Sequence, residues 1–177
     1  FTPKQLILYD ISENYMYDLF FELKEKYGEL VANTLVLEVG SVRDEESLWR
    51  VMGKYRPDIV IHAAAHKHVP LMETSSEQAI LNNVFGTYKT AKIATECNVK
   101  RFVLISTDKA VNPTNVMGAS KRLAEIIISS IPPRNTEFMA VRFGNVLGSH
   151  GSVVPIFERQ IKAGGPVALT DENIIRY

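Results

Sequence analysis

The sequence predicts an α/β protein built on a doubly wound, mostly parallel sheet. Three observations point there. Short runs rich in β-forming residues alternate with helix-patterned stretches, the order of βαβ units. The runs are apolar almost throughout, as in strands covered on both faces. The residues that follow them are small or polar, at the strand carboxyl ends where open α/β sheets bind ligands.

Strands are expected at residues 5–9 (QLILY), 34–39 (TLVLEV), 58–63 (DIVIHA), 101–106 (RFVLIS) and 137–142 (EFMAVR). Helices are expected near 13–27, 45–55, 76–97 and 116–130, the first capped by Ser12 and the fourth closed by Pro132 and Pro133. After Arg142 the pattern changes to "FGNVLGSHGSVVP", then a helix and "GGPVALT". Residues 1–142 are therefore expected to form a dinucleotide-binding domain and 143–177 the start of a substrate-binding lobe. No internal repeat is visible.

The composition, 46% hydrophobic and 23% charged over 177 residues, is that of an ordinary globular domain able to bury a core. Lysine plus arginine and aspartate plus glutamate both count 20, so no overall field draws the chain to nucleic acid or an anionic membrane. Any phosphate must be bound locally. The single cysteine, Cys97, excludes an intrachain disulfide, offers no metal spacing and reads as a small helix side chain in a reducing compartment. No apolar run approaches the roughly 20 residues of a membrane span, so a soluble protein without membrane contact is expected. The chain opens on Phe1 and closes on "DENIIRY" with no start or stop signal, and both ends are expected to be cut.

A dinucleotide-binding sheet opens with a strand and a Gly-rich loop whose amides meet the pyrophosphate at a helix N-terminus. No G-x-G-x-x-G occurs here. Yet "LILYD" places Asp10 directly after an apolar strand, where a carboxylate bonds the adenosine ribose; the alternative is that Asp10 caps the following helix. The expectation is a sheet lacking its first strand and Gly-rich loop.

Two strand ends carry chemistry. "IHAAAHKHVP" presents Ala63, Ala64 and Ala65, small enough for a flat cofactor to lie against the backbone, then Lys67 in reach of a phosphate or sugar hydroxyl. His62, His66 and His68 lack an acid or cysteine to complete a shell, so no metal is expected. "LISTDKA" brings Thr107, Asp108 and Lys109 into the same crevice. A carboxyl beside an amine suits acid–base work if their environments separate the two pKa values; the alternative is a solvated ion pair of little weight. "NPTN" then turns into a helix on which Met117 and Lys121, four apart, share a face. A tyrosine at 117 would pair with that lysine, and the phenol is absent.

"STDKAVNPTNVMGASKRLAE", with "PDIVIHAAAHKHVPLME" before it and "VRFGNVLGSHGSVVPIF" after it, resembles the nucleotide-sugar 4,6-dehydratases of bacterial polysaccharide biosynthesis (the CapD-like family). These are extended short-chain dehydrogenase/reductases with an NAD(P)-binding Rossmann-like fold, acting on UDP-N-acetylglucosamine. The likeness runs from "LILYDISEN" to the closing "RY", and some members of that family have methionine in place of the tyrosine. It implies hydride transfer from sugar carbon 4 to a retained nicotinamide, loss of water across carbons 5 and 6, and hydride return at carbon 6. By that likeness Lys109 removes the carbon 5 proton and Asp108 protonates the departing hydroxyl. Thr107 bonds the sugar near carbon 4, and Lys121 holds the nicotinamide ribose. The proton of the carbon 4 hydroxyl is assigned to Asp108, directly or through Thr107 or water.

The same likeness implies cofactor contacts from Asp10, Ser41, Val42, Ala63, Ala64, Lys67, Lys121 and Val146. Substrate contacts are implied for Lys67, Thr107, Met117, Asn145, Thr170 and Arg176. Ser41 stands where the family usually places an aspartate against the adenine. NAD is the expected cofactor because Asp10 repels the extra phosphate of NADP, which stays the alternative. A UDP-sugar is the expected partner, with a homo-oligomer and a cytoplasmic domain, membrane-anchored or not, implied for the full-length protein. The competing readings are a UDP-sugar 4-epimerase or reductase of the same superfamily, and a catalytically idle dinucleotide-binding module.

Overall fold

The computed structural model describes residues 3–132, 134–146 and 153–168. The chain divides into two compact units, Phe1–Arg142 and Phe143–Tyr177. The first unit runs β1 (Leu6–Asp10), α1 (Glu13–Tyr27), α2 (Glu29–Thr34), β2 (Leu35–Val39), α3 (Glu45–Tyr55), β3 (Ile59–His62), α4 (Val69–Thr74) and α5 (Ser76–Ala79). A π-helical segment (Ile80–Phe85) leads into α6 (Gly86–Glu96), β4 (Arg101–Thr107), a 3-10 turn (Asp108–Ala110), α7 (Val116–Ser130) and β5 (Glu137–Phe143).

Local chemistry sets the helix ends. Ser12 accepts the Tyr15 amide at the start of α1, Asp44 accepts the Ser47 amide at the start of α3, and Asn115 accepts the Gly118 amide at the start of α7. Gly28, at φ 60°, ends α1. The expected helix over 76–97 is instead broken. Ser75, at φ −131° and ψ 49°, separates α4 from α5, and the ladder slips to π spacing before Gly86. Gly86 lets α6 press on Val42, whose Cγ2 an added Cβ would approach to 2.7 Å.

The sheet lies in two parallel pieces among the described residues. β1 pairs with β2 in one, and the other has the order β3-β4-β5. Within the described residues no strand joins β1 to β3, in keeping with the lack of a Gly-rich strand and loop in the sequence. On β3 and β4 the register sets Val60 beside Phe102 and His62 beside Leu104, so these side chains share one face. That face is packed by Leu48 and Met52 of α3, Ala91, Ile93 and Ala94 of α6, and Ala124 and Ile128 of α7. The opposite face carries Ile59, Ile61, Met139 and Val141, each more than a third exposed. The near-continuous apolar strands foretold cover on both faces; among the described residues only one is closed.

In the second unit the described part is the end of β5, residues 144–146, and α8 (Val153–Lys162). Gly164 and Gly165 turn the chain at φ 91° and 76° after α8, and the Gln160 side chain accepts the Ala168 amide.

Candidate active site

The centre of the site is the corner where β4 ends. Thr107 is still extended, and its hydroxyl caps the 3-10 turn that follows. That turn folds the next two side chains back on each other. Asp108 Oδ1 accepts the Thr107 hydroxyl at 2.8 Å, the Lys109 amide at 3.0 Å and the Lys109 ammonium at 3.0 Å. The Thr107 hydroxyl, followed by Lys109, holds the Asp108 carboxyl below its ordinary value, so the carboxylate is ionised at neutral pH. Asp108 and Lys109 are 55% and 36% exposed along their side chains, open enough to meet a substrate.

Helix α7 backs this corner. Gly118 abuts the Lys109 carbonyl, and an added Cβ would overlap that oxygen. Besides the Asn115 cap, Glu73 of α4 accepts the Val116 amide at 2.8 Å, which ties the start of α7 to α4. Three residues into the helix from Gly118, Lys121 is 4% exposed and donates to the Ile105 carbonyl at 2.6 Å. Burial pushes its amine down to about 8, offset in part by the charge of Glu125. Met117 is also 4% exposed. It packs with Met72 and Ala79, and with Val69 and Val116, in a small apolar cluster. The side chain is thus part of the wall between α4, α5 and α7 rather than of an open substrate surface.

The neighbouring loop is clasped by a residue that spacing alone did not single out. Asn83, in the π-helical segment, accepts the His66 amide at 2.8 Å, and its amide donates to the His66 carbonyl at 3.1 Å and to Ser120 at 2.9 Å. This fixes the stretch bearing Ala63, Ala64 and Lys67 against α7, next to Lys121. Local π-helical geometry often accompanies such sites. His62 is buried, 2.9 Å from the Thr87 hydroxyl, and burial pushes it down to about 3, so it is neutral. Among the described residues no group of three or more His, Cys, Asp or Glu converges as metal ligands.

At the far strands, Asp10 Oδ1 accepts the Ser12 amide at 2.8 Å, the helix-entry role weighed above. The Ser41 hydroxyl accepts the Arg43 amide, and its carbonyl takes the Tyr9 hydroxyl at 2.9 Å. Val42 is buried against Gly86. Asn145 and Val146 follow β5 in the second unit, Val146 half-exposed. Thr170 and Arg176 lie outside the described residues.

Missed as well were Ser106, Glu125 and Arg142, a polar knot in which Ser106 and Glu125 are buried and Arg142 is open to solvent. The signal was present: "KRLAE" puts a glutamate four residues after Lys121, on the apolar face of α7.

A parallel sheet with a Thr-Asp-Lys corner at a strand carboxyl end, backed by a buried lysine, defines an α/β protein with a Rossmann-like fold. The chain belongs to the polysaccharide biosynthesis protein family, whose model matches residues 1–177. It is 50% identical over 179 residues to the probable polysaccharide biosynthesis protein EpsC of Bacillus subtilis, covering all of this chain and 29% of that protein. It is 35% identical over 182 residues to an inverting UDP-N-acetylglucosamine 4,6-dehydratase of Campylobacter jejuni, covering all of this chain and 52% of that one. Among solved structures, Pen from Bacillus thuringiensis superposes with a TM-score of 0.86 at 37% identity, over 96% of this chain and 52% of that chain. The chain thus spans about half or less of the relatives it matches. Among the described residues no helix is long and apolar enough to cross a membrane.

Proposed function

We propose that the protein is an NAD-dependent nucleotide-sugar 4,6-dehydratase that turns UDP-N-acetylglucosamine into a UDP-4-keto-6-deoxy-hexosamine for surface polysaccharide synthesis. The observation that carries this reading is the resting state of Asp108: ionised, held by Thr107, and within 3.0 Å of the Lys109 amine. A carboxylate in that state is a base first and an acid second, which is the order a 4,6-dehydration needs.

The residues present fit a nicotinamide at one end of its site. Lys121 and the small residues Ala63 and Ala64 would hold the nicotinamide and its ribose, Lys67 a phosphate or hydroxyl, and Asp10, Ser41, Val42 and Val146 the remainder. The pyrophosphate cradle has no G-x-G-x-x-G loop among the 177 residues. When bound, the cofactor supplies hydride acceptance from carbon 4 and hydride return at carbon 6.

The proton steps belong to the chain. Asp108 takes the carbon 4 hydroxyl proton, directly or through Thr107, as the carbon becomes a ketone. That ketone acidifies carbon 5, whose proton passes to the Lys109 amine. Asp108 then gives its proton to the carbon 6 hydroxyl, which leaves as water, and Lys109 returns its proton to carbon 5 as hydride reaches carbon 6. Lys109 sheds its ammonium proton to solvent before it acts as a base and regains one afterwards, so both groups end as they began, Asp108 as carboxylate and Lys109 as ammonium, and the only net loss is one water. No phenol is required, which accommodates Met117. Asn145, Thr170 and Arg176 are assigned to the sugar nucleotide, a guanidinium suiting bidentate contact with its pyrophosphate.

Incubating the intact protein with NAD and UDP-N-acetylglucosamine and following the sugar by NMR tests this. A 4-keto-6-deoxy product supports it. A 4-epimer would establish the epimerase reading, and unchanged substrate the idle module.

A further inference from the structure

Glu125 is a carboxylate where the fold has little room for one. Its side chain is 7% exposed, on the helix face that also carries Ala124 and Ile128. A buried charge persists only when paired and hydrogen-bonded, and Glu125 is paired from three directions. The Arg142 guanidinium of β5 grips it as a fork, Nε at 2.8 Å and Nη2 at 2.6 Å. The Ser106 hydroxyl of β4 donates at 2.6 Å, and Arg122, one turn back on α7, donates at 3.0 Å. Arg142 first, then Ser106 and Arg122, bring its carboxyl down to about 2.

The placement of these partners is the informative part. Lys121 and Glu125 are four apart on α7, so they stack on one face. Lys121 reaches the carbonyl of Ile105, and Glu125 reaches the hydroxyl of the next residue, Ser106. Two successive turns of α7 are therefore pinned to two successive residues of β4, immediately before Thr107. The second rung adds a polar fixed point one turn further along α7, beyond the Glu73 and Asn83 ties near its start.

We propose that Glu125 is a positioning residue: gripped by Arg142 and Ser106, it locks α7 in register against the end of β4, so that Lys121 stays at the Ile105 carbonyl behind the Thr107–Asp108–Lys109 corner. Its charge has a second effect on the same lysine. The charged group that bears on Lys121 is Glu125 of its own helix; His62 of β3 is neutral, and Arg142 of β5 and Arg122 pair with the Glu125 carboxylate. Glu125 is thus the anion that keeps the buried amine protonated. The kinetic half of this inference rests on the dehydratase reading above, and the titration half does not.

Three variants of the intact protein separate position from charge, each checked for retained folding by circular dichroism. The Lys121 signal in 13C-lysine NMR spectra is assigned by its loss in Lys121→Met. Glu125→Gln keeps the shape and removes the charge, so the Lys121 midpoint should fall by about one pH unit, with kcat reduced roughly tenfold or more and KM for the UDP-sugar little changed. Glu125→Asp and Arg142→Lys keep the charges but break the fork. They should lose a similar part of kcat while leaving the Lys121 midpoint in place, and they carry the test should Glu125→Gln not fold. Unchanged midpoint and unchanged turnover in Glu125→Gln, or full turnover in both fork variants, would overturn the proposal. Wild-type protein inert toward the sugar would overturn the dehydratase reading instead, and the titration would still decide the role of Glu125.

Discussion

Gly118 of α7 lies directly against the backbone carbonyl of Lys109, in contact so close that a Cβ would overlap the oxygen. The acid–base corner and the helix bearing Lys121 are therefore docked through a glycine, and a methyl group there must push the two apart. Gly118→Ala should destabilise the protein by about 1–3 kcal/mol despite alanine's better helix propensity. It should also lower turnover beyond what the loss of folded protein explains. Denaturant melts beside kcat measured on the folded fraction check this; a stabilised, fully active variant would remove the close contact from the account.

Lys109→Ala should cut dehydration by roughly 10²–10⁴-fold, the range of a lost general base, and leave cofactor binding nearly unchanged, because the amine is needed only in the chemical steps. Asp108→Asn should fall into the same range: the amide keeps the shape but neither takes nor delivers the proton. Turnover close to wild type in either variant would reduce the pair to a surface ion bridge.

Met117→Tyr tests the missing phenol. The methionine is 4% exposed among Met72, Ala79, Val69 and Val116, so a tyrosine must either overfill that cluster or bury a hydroxyl there. A loss of about 1–3 kcal/mol of stability and no gain in rate are expected. A rate rise of about a hundredfold would show that position 117 is a disabled base site after all.

These residues also show how far the sequence could be read. The strands, α1, α3 and α7 announce themselves through apolar runs, Ser12 and the proline stop, and all ten strand ends fall within one residue of expectation. Thr107, Asp108 and Lys109 come together because they are consecutive after a strand. The 76–97 helix was not legible as three pieces, because 3.6-residue periodicity carries no mark of the π slip that lets Asn83 clasp His66. The same-face rule linked Met117 to Lys121 but could not tell which side of α7 meets α4. Glu125, four residues after Lys121, lies on the apolar face of α7, but its partner Arg142 is 17 residues away on another strand, and only the fold brings the two together.

Two buried groups contribute to the acid sensitivity, beside the ion-paired Glu38, and they act in the same direction. His62 is kept neutral down to about 3, against an ordinary value of 6.5, so below pH 6.5 the unfolded chain binds a proton that the folded one refuses. Glu125 stays ionised down to about 2, against 4.5, so the unfolded chain again takes the extra proton below pH 4.5. Stability therefore falls as pH drops, from pH 6.5 toward 3 through His62 and from 4.5 toward 2 through Glu125. His62→Asn, which can still donate to Thr87, should flatten the slope of unfolding free energy between pH 6.5 and 4.5 and leave the steeper fall below it. An unchanged slope in that window would mean that another group is responsible.

Cofactor affinity provides the last test. The nicotinamide end of the site has its small residues and its buried lysine, but these 177 residues contain no G-x-G-x-x-G turn to offer amides to a pyrophosphate. Among the described residues β1 has only β2 as a neighbour and β3 only β4, so the strand edges that would flank such a turn stand apart. Most of the affinity of a dinucleotide site comes from holding the charged pyrophosphate, and Lys67 alone replaces little of a set of oriented amides. A protein of these 177 residues should therefore bind NAD weakly or not at all by calorimetric titration. Tight, stoichiometric binding would show that another part of the chain cradles the pyrophosphate, and would overturn the assignment of Asp10, Ser41 and Val42 to the adenosine end.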